Sequence, residues 1–256
     1  MRKLVGSAGI ALGLAFVASS PTAAVVGGNP AATTDVAPYL VSVNATSWFG
    51  SEHVCGGFLR DASTVITTAH CVDGQTPSSL SVKFGGLDRT ALPQTHQVST
   101  VKRYAGYNSV TKAGDVAILK LGTMVSVGNG VQFAKLATSN PAPGTMATVT
   151  GWGRLRELDT DLPTAQHTVQ VPITTAAACQ AAYPNPNDGG TVLDTGSMLC
   201  AGPAAGGQGI CKGDSGDPLV VNGTVVGIVS WARGCAEPNS PGVYSSIAHY
   251  HSWLQG

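Results

Sequence analysis

Short apolar runs, rich in β-branched residues and separated by Gly, Pro, Asn and Ser, recur along most of the chain. No interior run keeps an apolar repeat of helical spacing, so the pattern predicts short β-strands joined by tight turns. One helix is predicted over residues 247–254, where Ile247, Tyr250, Trp253 and Leu254 fall at helical spacing. The predicted strands cover residues 39–43, 55–59, 63–68, 80–84, 97–101, 116–121, 145–150, 168–173, 218–221, 224–231 and 242–246.

Composition agrees with an all-β chain. Charged residues make up 11% of the 256 positions and there are 33 glycines, which favours strands and turns over helices. This length suits one large β unit or two half-sized ones. The formal net charge is zero, whereas binding to nucleic acid or to an anionic membrane would need a basic excess. We therefore expect neither kind of partner for the mature chain.

Residues 1–24 have the pattern of a secretory signal peptide, with room for a very short propeptide at its end. Arg2 and Lys3 precede an apolar run over residues 4–18, and small residues follow as far as Ala24. The run is short for a membrane span, and a buried first strand or helix is the alternative. Export to an oxidising compartment would allow the six cysteines to form three disulfides, with the pairing left open by the count alone.

A nucleophile is predicted in the segment 211–218, where Ser215 stands between glycines and one residue after Asp214. A serine hydroxyl needs a base, a group that orients the base, and donors for the developing oxyanion. Glycine permits backbone conformations that turn main-chain N–H groups toward such an oxyanion, which makes Gly213 and Ser215 the candidate donors. The alternative is an ordinary surface turn, since Gly, Asp, Ser and Pro are typical turn residues.

Two further residues stand where a base and its partner are needed. His70 follows the predicted strand 63–68 and precedes Cys71, so both a strand and a cysteine restrain it. Asp115 stands before the apolar strand 116–121, where a carboxylate without a hydrogen bond would be costly. His70 is its natural partner, and a strand-capping turn with an exposed Asp115 is the alternative.

With these three residues in the order His, Asp, Ser, residues 25–256 resemble the trypsin/chymotrypsin-type serine proteases. The motifs are individually weak but specific in this order: 25–28 (VVGG), 68–71 (TAHC), 115–119 (DVAIL), 151–153 (GWG), 213–216 (GDSG), 230–231 (SW) and 241–244 (PGVY). The resemblance implies two six-stranded antiparallel β-barrels, over 25–140 and 141–246, with the active site between them and a helix over 247–256.

The resemblance also implies the chemistry: His70 takes the proton of Ser215, Asp115 orients His70, and the N–H groups of Gly213 and Ser215 bind the oxyanion. It implies no metal and no cofactor, a monomeric secreted endopeptidase, and peptide or protein substrates with protein inhibitors as further partners. The other histidines lack metal-ligand spacing and are expected in surface or packing roles: His53, His96, His167, His249 and His251. The implied disulfides are Cys55 with Cys71, Cys179 with Cys200, and Cys211 with Cys235.

In the family a new N-terminus pairs with the aspartate before the catalytic serine, which here implies an ion pair of Val25 with Asp214 and a zymogen. The residue before Val25 is Ala24 and not Arg or Lys, so a trypsin-like activator is not indicated. Either a protease that accepts small residues cuts there, or removal of the signal peptide exposes Val25 directly.

Substrate preference is predicted from the pocket positions that the family implies. The floor lies six residues before the serine, where trypsins have aspartate and this chain has Gly209. No carboxylate stands at a matching position, and an unpaired basic side chain would be poorly solvated there. We therefore expect apolar P1 residues, P1 being the substrate residue whose carbonyl is attacked. The remaining pocket residues are Ile210, Lys212 at the mouth, Ser230, Trp231, Ala232 and Gly242.

One residue departs from the family pattern: Asp217 stands two positions after the serine, where glycine is usual. If this position needs positive φ, a β-carbon is strained, and a second carboxylate near Asp214 raises the cost of ionising both. In the benign alternative the Asp217 side chain reaches water. The departure keeps open a second function, a catalytically impaired homologue that binds or inhibits another protein.

Overall fold

The computed structural model describes residues 25–48, 50–184 and 192–256. The predicted signal peptide, residues 1–24, lies outside the described residues. Within them the chain has fourteen strands and two α-helices: β1 (Asn29–Pro30), β2 (Leu40–Ser47), β3 (Gly50–Asp61), β4 (Thr64–Thr67), β5 (Leu80–Phe84), β6 (Gln94–Arg103), β7 (Ala117–Leu121), β8 (Lys135–Leu136), β9 (Met146–Gly151), β10 (His167–Pro172), α1 (Ala176–Ala182), β11 (Met198–Ala201), β12 (Pro218–Val221), β13 (Thr224–Trp231), β14 (Gly242–Ser246) and α2 (Ile247–Gln255).

Six strands of the first half close into a barrel in the order β2, β3, β4, β7, β6, β5, all neighbours antiparallel. β3 and β4 form the predicted hairpin, and Asp61 stabilises its turn by accepting the main-chain N–H of Ser63 at 2.9 Å. Closure removes unpaired strand edges and places alternate side chains inside. Leu59, Leu80 and Leu119 share one face of the barrel strands, Phe58, Ile66 and Ile118 share the other, and all six are buried.

The second half forms an eight-stranded sheet in the order β1, β10, β9, β12, β13, β14, β11, with β8 paired to β13. The all-β class and the first barrel are confirmed. The second unit differs in detail from a six-stranded barrel, because β1 and β8, which belong to the predicted first unit (25–140), add to it. The two halves are therefore joined through shared strands as well as through side-chain packing.

The C-terminal helix is confirmed as α2, with Ile247, Tyr250 and Leu254 buried and Ser246 accepting the N–H of His249 at its start. A second helix, α1, was not predicted. Its sequence is mostly alanine, so it has high helix propensity but no apolar repeat, and Cys179 is its one buried residue. No helix in the described part of the chain is long and apolar enough to cross a bilayer.

Candidate active site

Strand register brings His70 and Asp115 together. β4 ends at Thr67 opposite Ala117, the first residue of β7, so the residues that follow β4 meet those that precede β7. His70 Nδ1 lies 2.7 Å from Asp115 Oδ2, and the main-chain N–H of His70 donates to Asp115 Oδ1 at 2.9 Å. Because a carboxylate only accepts, Nδ1 carries the proton and Nε2 is left as the basic atom.

Asp115 is fully buried and has partners from the second sheet. Ser230 Oγ on β13 donates to Asp115 Oδ2 at 2.5 Å, and Ser245 Oγ on β14 donates to the Asp115 carbonyl at 2.9 Å. With the two bonds from His70, the bond from Ser230 offsets the cost of burying the carboxylate, and the bond from Ser245 fixes the Asp115 main chain. Ser230 was predicted only as a pocket wall; the structure also places it against Asp115.

The loop that carries Ser215 depends on two glycines in the left-handed region, Gly213 at φ 99° and Gly216 at φ 88°. A side chain at Gly216 would overlap the Gly56 carbonyl of β3, so the loop lies directly on the first barrel. The N–H of Gly56 donates to the Ser215 carbonyl at 2.7 Å. Among the described residues, the N–H groups of Gly213 and Ser215 make no hydrogen bond, which leaves both for an oxyanion.

The cleft brings His70 near Ser215 without a hydrogen bond between their side chains in the described part of the chain. The Sγ of Cys71 lies 3.7 Å from His70 Nε2 and 3.9 Å from the Ser215 carbonyl, so both residues adjoin the same sulfur. Catalytic hydrogen bonds are often long before substrate binds.

His53 has a role at this loop that sequence reasoning missed. It is buried on β3, its Nδ1 lies 2.7 Å from Ser42 Oγ, and its Nε2 lies 3.1 Å from the Gly213 carbonyl. Burial lowers the pKa of His53 to about 4, so the ring is neutral and Nε2–H donates to the carbonyl. Spacing gave no signal, because the register shifts between these positions: Cys55 pairs with Val43 whereas His53 pairs with Asn44, which faces the other side of the sheet.

A cavity of about 180 Å³ adjoins Ser215. Its lining includes five predicted pocket residues, namely Ile210, Lys212, Ser230, Trp231 and Ala232. Gly209 and Gly242 instead adjoin a space of about 10 Å³ beside it, together with Ile210. A side chain at Gly242 would meet Ile210 Cδ1 at 2.9 Å, so Ile210, which lines both spaces, lies against Gly242.

The mouth of this cavity holds an ion pair that the sequence did not predict. Lys212 Nζ lies 2.8 Å from Glu157 Oε1, while Glu157 Oε2 is buried without a hydrogen-bond partner among the described residues. Glu157 lies on a distant loop, so no local pattern pointed to it.

The segment that begins at Val25 pairs with the chain just before the serine loop. Val25 is completely buried, and Val26 pairs with Gly209 through an N–H···O bond of 3.1 Å. In the uncut chain the Val25 nitrogen is an amide, and no ion pair reaches Asp214 among the described residues. Asp214 instead accepts the main-chain N–H groups of Gly153 at 2.8 Å and Cys211 at 2.9 Å.

Three disulfides brace these segments, with the pairing that the resemblance implies. Cys55–Cys71 ties β3 to the turn that carries His70, and Cys211–Cys235 ties the serine loop to the far wall of the cavity. Cys179–Cys200 joins α1 to β11.

Asp217 does not reach water. Its side chain is completely buried, so the benign alternative is wrong. Its φ lies outside the left-handed region, so its β-carbon does not strain the backbone at this position. The remaining effect of Asp217 is electrostatic, because it places a second buried carboxyl group beside Asp214.

An oriented histidine, a nearby serine and free main-chain donors are features of the serine hydrolases as a class. The family model described as Trypsin matches residues 25–254. The chain is 36% identical to trypsin beta of Drosophila erecta over 231 residues, which covers 90% of this chain and 87% of that one. It is 36% identical over 234 residues to trypsin of Xenopus laevis, covering 90% and 89%. The chain belongs to the trypsin family and is a serine-type endopeptidase.

Proposed function

We propose that the chain is a secreted endopeptidase in which Ser215, His70 and Asp115 act as a catalytic triad. The observation that carries the proposal is the 2.7 Å contact of His70 Nδ1 with buried Asp115, next to a serine loop in which two N–H groups make no hydrogen bond to the described residues. This arrangement supplies the base, its orienting carboxylate and the oxyanion donors that a serine nucleophile requires.

The chemistry follows from the protonation state of His70. Nε2 takes the Ser215 proton as the oxygen attacks the scissile carbonyl, and the N–H groups of Gly213 and Ser215 stabilise the oxyanion. His70 then gives its proton to the leaving amine, which forms the acyl-enzyme. Water, deprotonated by the same nitrogen, hydrolyses the ester and restores Ser215. Asp115 stabilises the imidazolium in both halves of the reaction.

The test is active-site titration of the secreted protein with a serine-reactive phosphonate, after N-terminal sequencing of the sample. We expect one label per chain, none in Ser215→Ala, and full labelling in the matched control Ser78→Ala, since Ser78 is exposed and does not line the cavity beside Ser215. We also expect Val25 as the N-terminus of the active form. A fully active sample with a longer N-terminus would contradict the activation hypothesis.

Buried Asp217 favours a second candidate, the impaired homologue that binds another protein. The same titration separates the two functions. If the phosphonate does not label the wild type but labels Asp217→Gly, Asp217 prevents catalysis and the natural protein is the binding homologue.

We further propose that the enzyme prefers apolar P1 residues, although its relatives are named trypsins. Ile210 lies against Gly242 and lines the cavity, and Gly209 offers no carboxylate. The one carboxylate that lines the cavity among the described residues is that of Glu157, and it is paired with Lys212.

With matched peptide substrates, kcat/KM for Leu at P1 should exceed that for Arg by about 10-fold or more. Substrates with Phe and Ala at P1 complete the series and measure the depth of the cavity. A dominant preference for Arg would contradict the pocket interpretation. If the preference for Arg then disappears in Glu157→Gln, the Arg side chain of the substrate is recognised by Glu157 at the mouth of the cavity and not by a group at its floor.

A further inference from the structure

The Asp217 carboxyl occupies a closed space between the serine loop and two strands. A side chain at Gly56 on β3 would overlap Asp217 Oδ1, and one at Gly151 on β9 would overlap Asp217 Oδ2 and meet Asp214 Oδ1. Neither oxygen of Asp217 accepts a hydrogen bond from the described residues. Its polar neighbour is the carboxyl of Asp214: a Cβ atom at Gly151 would lie 1.9 Å from Asp217 Oδ2 and 2.6 Å from Asp214 Oδ1, so these two oxygens lie close together.

Two carboxyl groups can share a hydrogen bond only if one of them is protonated. Burial raises the pKa of Asp214 to about 7, but two main-chain N–H groups, from Gly153 and Cys211, donate to its carboxylate and favour its charged form over that of Asp217. No N–H group of the described residues donates to Asp217, so the proton belongs on Asp217. Burial, followed by the charge of Asp214, raises the pKa of Asp217 well above its ordinary value.

We propose that Asp217 is a positioning residue of the oxyanion loop, whose carboxylic acid donates a hydrogen bond to the Asp214 carboxylate. This inference rests on the proposed function. Asp214 lies between Gly213 and Ser215, so a third donor on its carboxylate restrains the two peptide groups that present the oxyanion N–H groups. The bond forms without the Val25 ammonium, so Asp217 helps to shape the loop before the chain is cut.

The groups that face the pair from neighbouring elements do not supply a positive charge. His53 on β3 is neutral, because burial lowers its pKa to about 4. Tyr244 on β14 is buried and its pKa is raised, first by burial and then by the charge of Asp214. His167 lies on β10, opposite Gly151, and burial lowers its pKa as well. In the described, uncut chain no cation is among the groups that act on either carboxyl.

The sign of the pH dependence follows. A carboxyl whose folded-state pKa is raised contributes its stability fully below the unfolded value, and loses it as pH rises through the folded value. Above that point two buried charges repel each other beneath the oxyanion loop. We therefore expect both loop order and stability to fall toward alkaline pH.

The experiment compares the mature, N-terminally sequenced wild type with Asp217→Asn and Asp217→Leu. Asparagine keeps an N–H donor of similar size but does not titrate, whereas leucine removes the donor. We expect Asp217→Asn to retain wild-type kcat/KM near neutral pH. Its kcat/KM should fall less than that of the wild type at alkaline pH, because asparagine does not ionise. The kcat/KM of Asp217→Leu should fall about 10-fold or more below the pH at which Asp217 ionises, because complete loss of one oxyanion donor costs about 10²- to 10³-fold. Deprotonation of the Val25 α-amino group would lower kcat/KM at alkaline pH in the wild type and in both variants alike. That shared decline serves as the internal control.

Melting temperature measured over the same pH range gives a readout independent of catalysis. The advantage of Asp217→Asn over the wild type should grow toward alkaline pH by about 3 °C or more. Identical pH profiles and melting curves for the wild type and Asp217→Asn would overturn the proposal, as would a fully active Asp217→Leu. The melting-temperature difference could grow with pH while the phosphonate labels neither the wild type nor any variant. That result would overturn both the proposed function and the positioning role, and the Asp214–Asp217 pair would then have a structural role only.

Discussion

Asp115→Asn should lower kcat about 10⁴-fold at neutral pH with little change in KM. The His70 Nδ1–H now donates to Asp115 Oδ2 at 2.7 Å, while Oδ1 accepts the His70 main-chain N–H at 2.9 Å. An asparagine that keeps its oxygen toward the main chain presents an NH₂ group to Nδ1. The ring must then carry its proton on Nε2, where it cannot accept the proton of Ser215.

Steady-state kinetics of the purified variant would check this expectation, with Ser230→Ala as the matched control. Ser230→Ala removes a single donor to Asp115 Oδ2 and leaves the tautomer of His70 intact. Its effect should stay within about 10-fold, the scale of one hydrogen bond. If Asp115→Asn retained activity within the range of Ser230→Ala, the role of Asp115 in orienting His70 would be refuted.

Much of the fold could be predicted because each strand carries its own pattern. The apolar runs at β5, β12, β13 and β14 were predicted with the bounds that the structure has. The pairing of His70 with Asp115 was predicted because both residues stand at strand ends, and an acid beside an apolar strand needs a partner. The register of β4 against β7 satisfies that need.

Other parts of the site could not be predicted, because they depend on contacts between distant segments. Glu157 reaches Lys212 from a loop without periodicity, and His53 acts on Gly213 across the boundary of the two halves. Asp217 was recognised as unusual, but its environment could not be known from the sequence. The space that it fills exists because Gly56 and Gly151, on strands of different sheets, leave room for it.

Gly56→Ala should destabilise the protein by about 3 kcal/mol, and Asp217→Gly should relieve much of that loss. A methyl group at Gly56 would overlap Asp217 Oδ1 and approach its Cγ to 2.5 Å, in a region buried between two sheets. The φ of Gly56 lies outside the left-handed region, so the cost is steric and does not come from backbone conformation. With glycine at position 217 the obstructing carboxyl is gone, and the methyl group enters the space that it vacates.

A double-mutant cycle measured by melting temperature or denaturant unfolding tests this coupling. The combined Gly56→Ala, Asp217→Gly variant should be more stable than the sum of the single changes predicts, by about 1 to 3 kcal/mol. Gly122→Ala is the matched control, since its φ also lies outside the left-handed region and a methyl group there would lie 3.5 Å from its nearest neighbour, the Gln97 carbonyl. Gly122→Ala should change the free energy of unfolding little, and its effect should be additive with that of Asp217→Gly. Additivity of Gly56→Ala with Asp217→Gly to within about 0.5 kcal/mol would mean that the Asp217 carboxyl does not occupy this space, and the hydrogen bond to Asp214 would lose its structural basis with it.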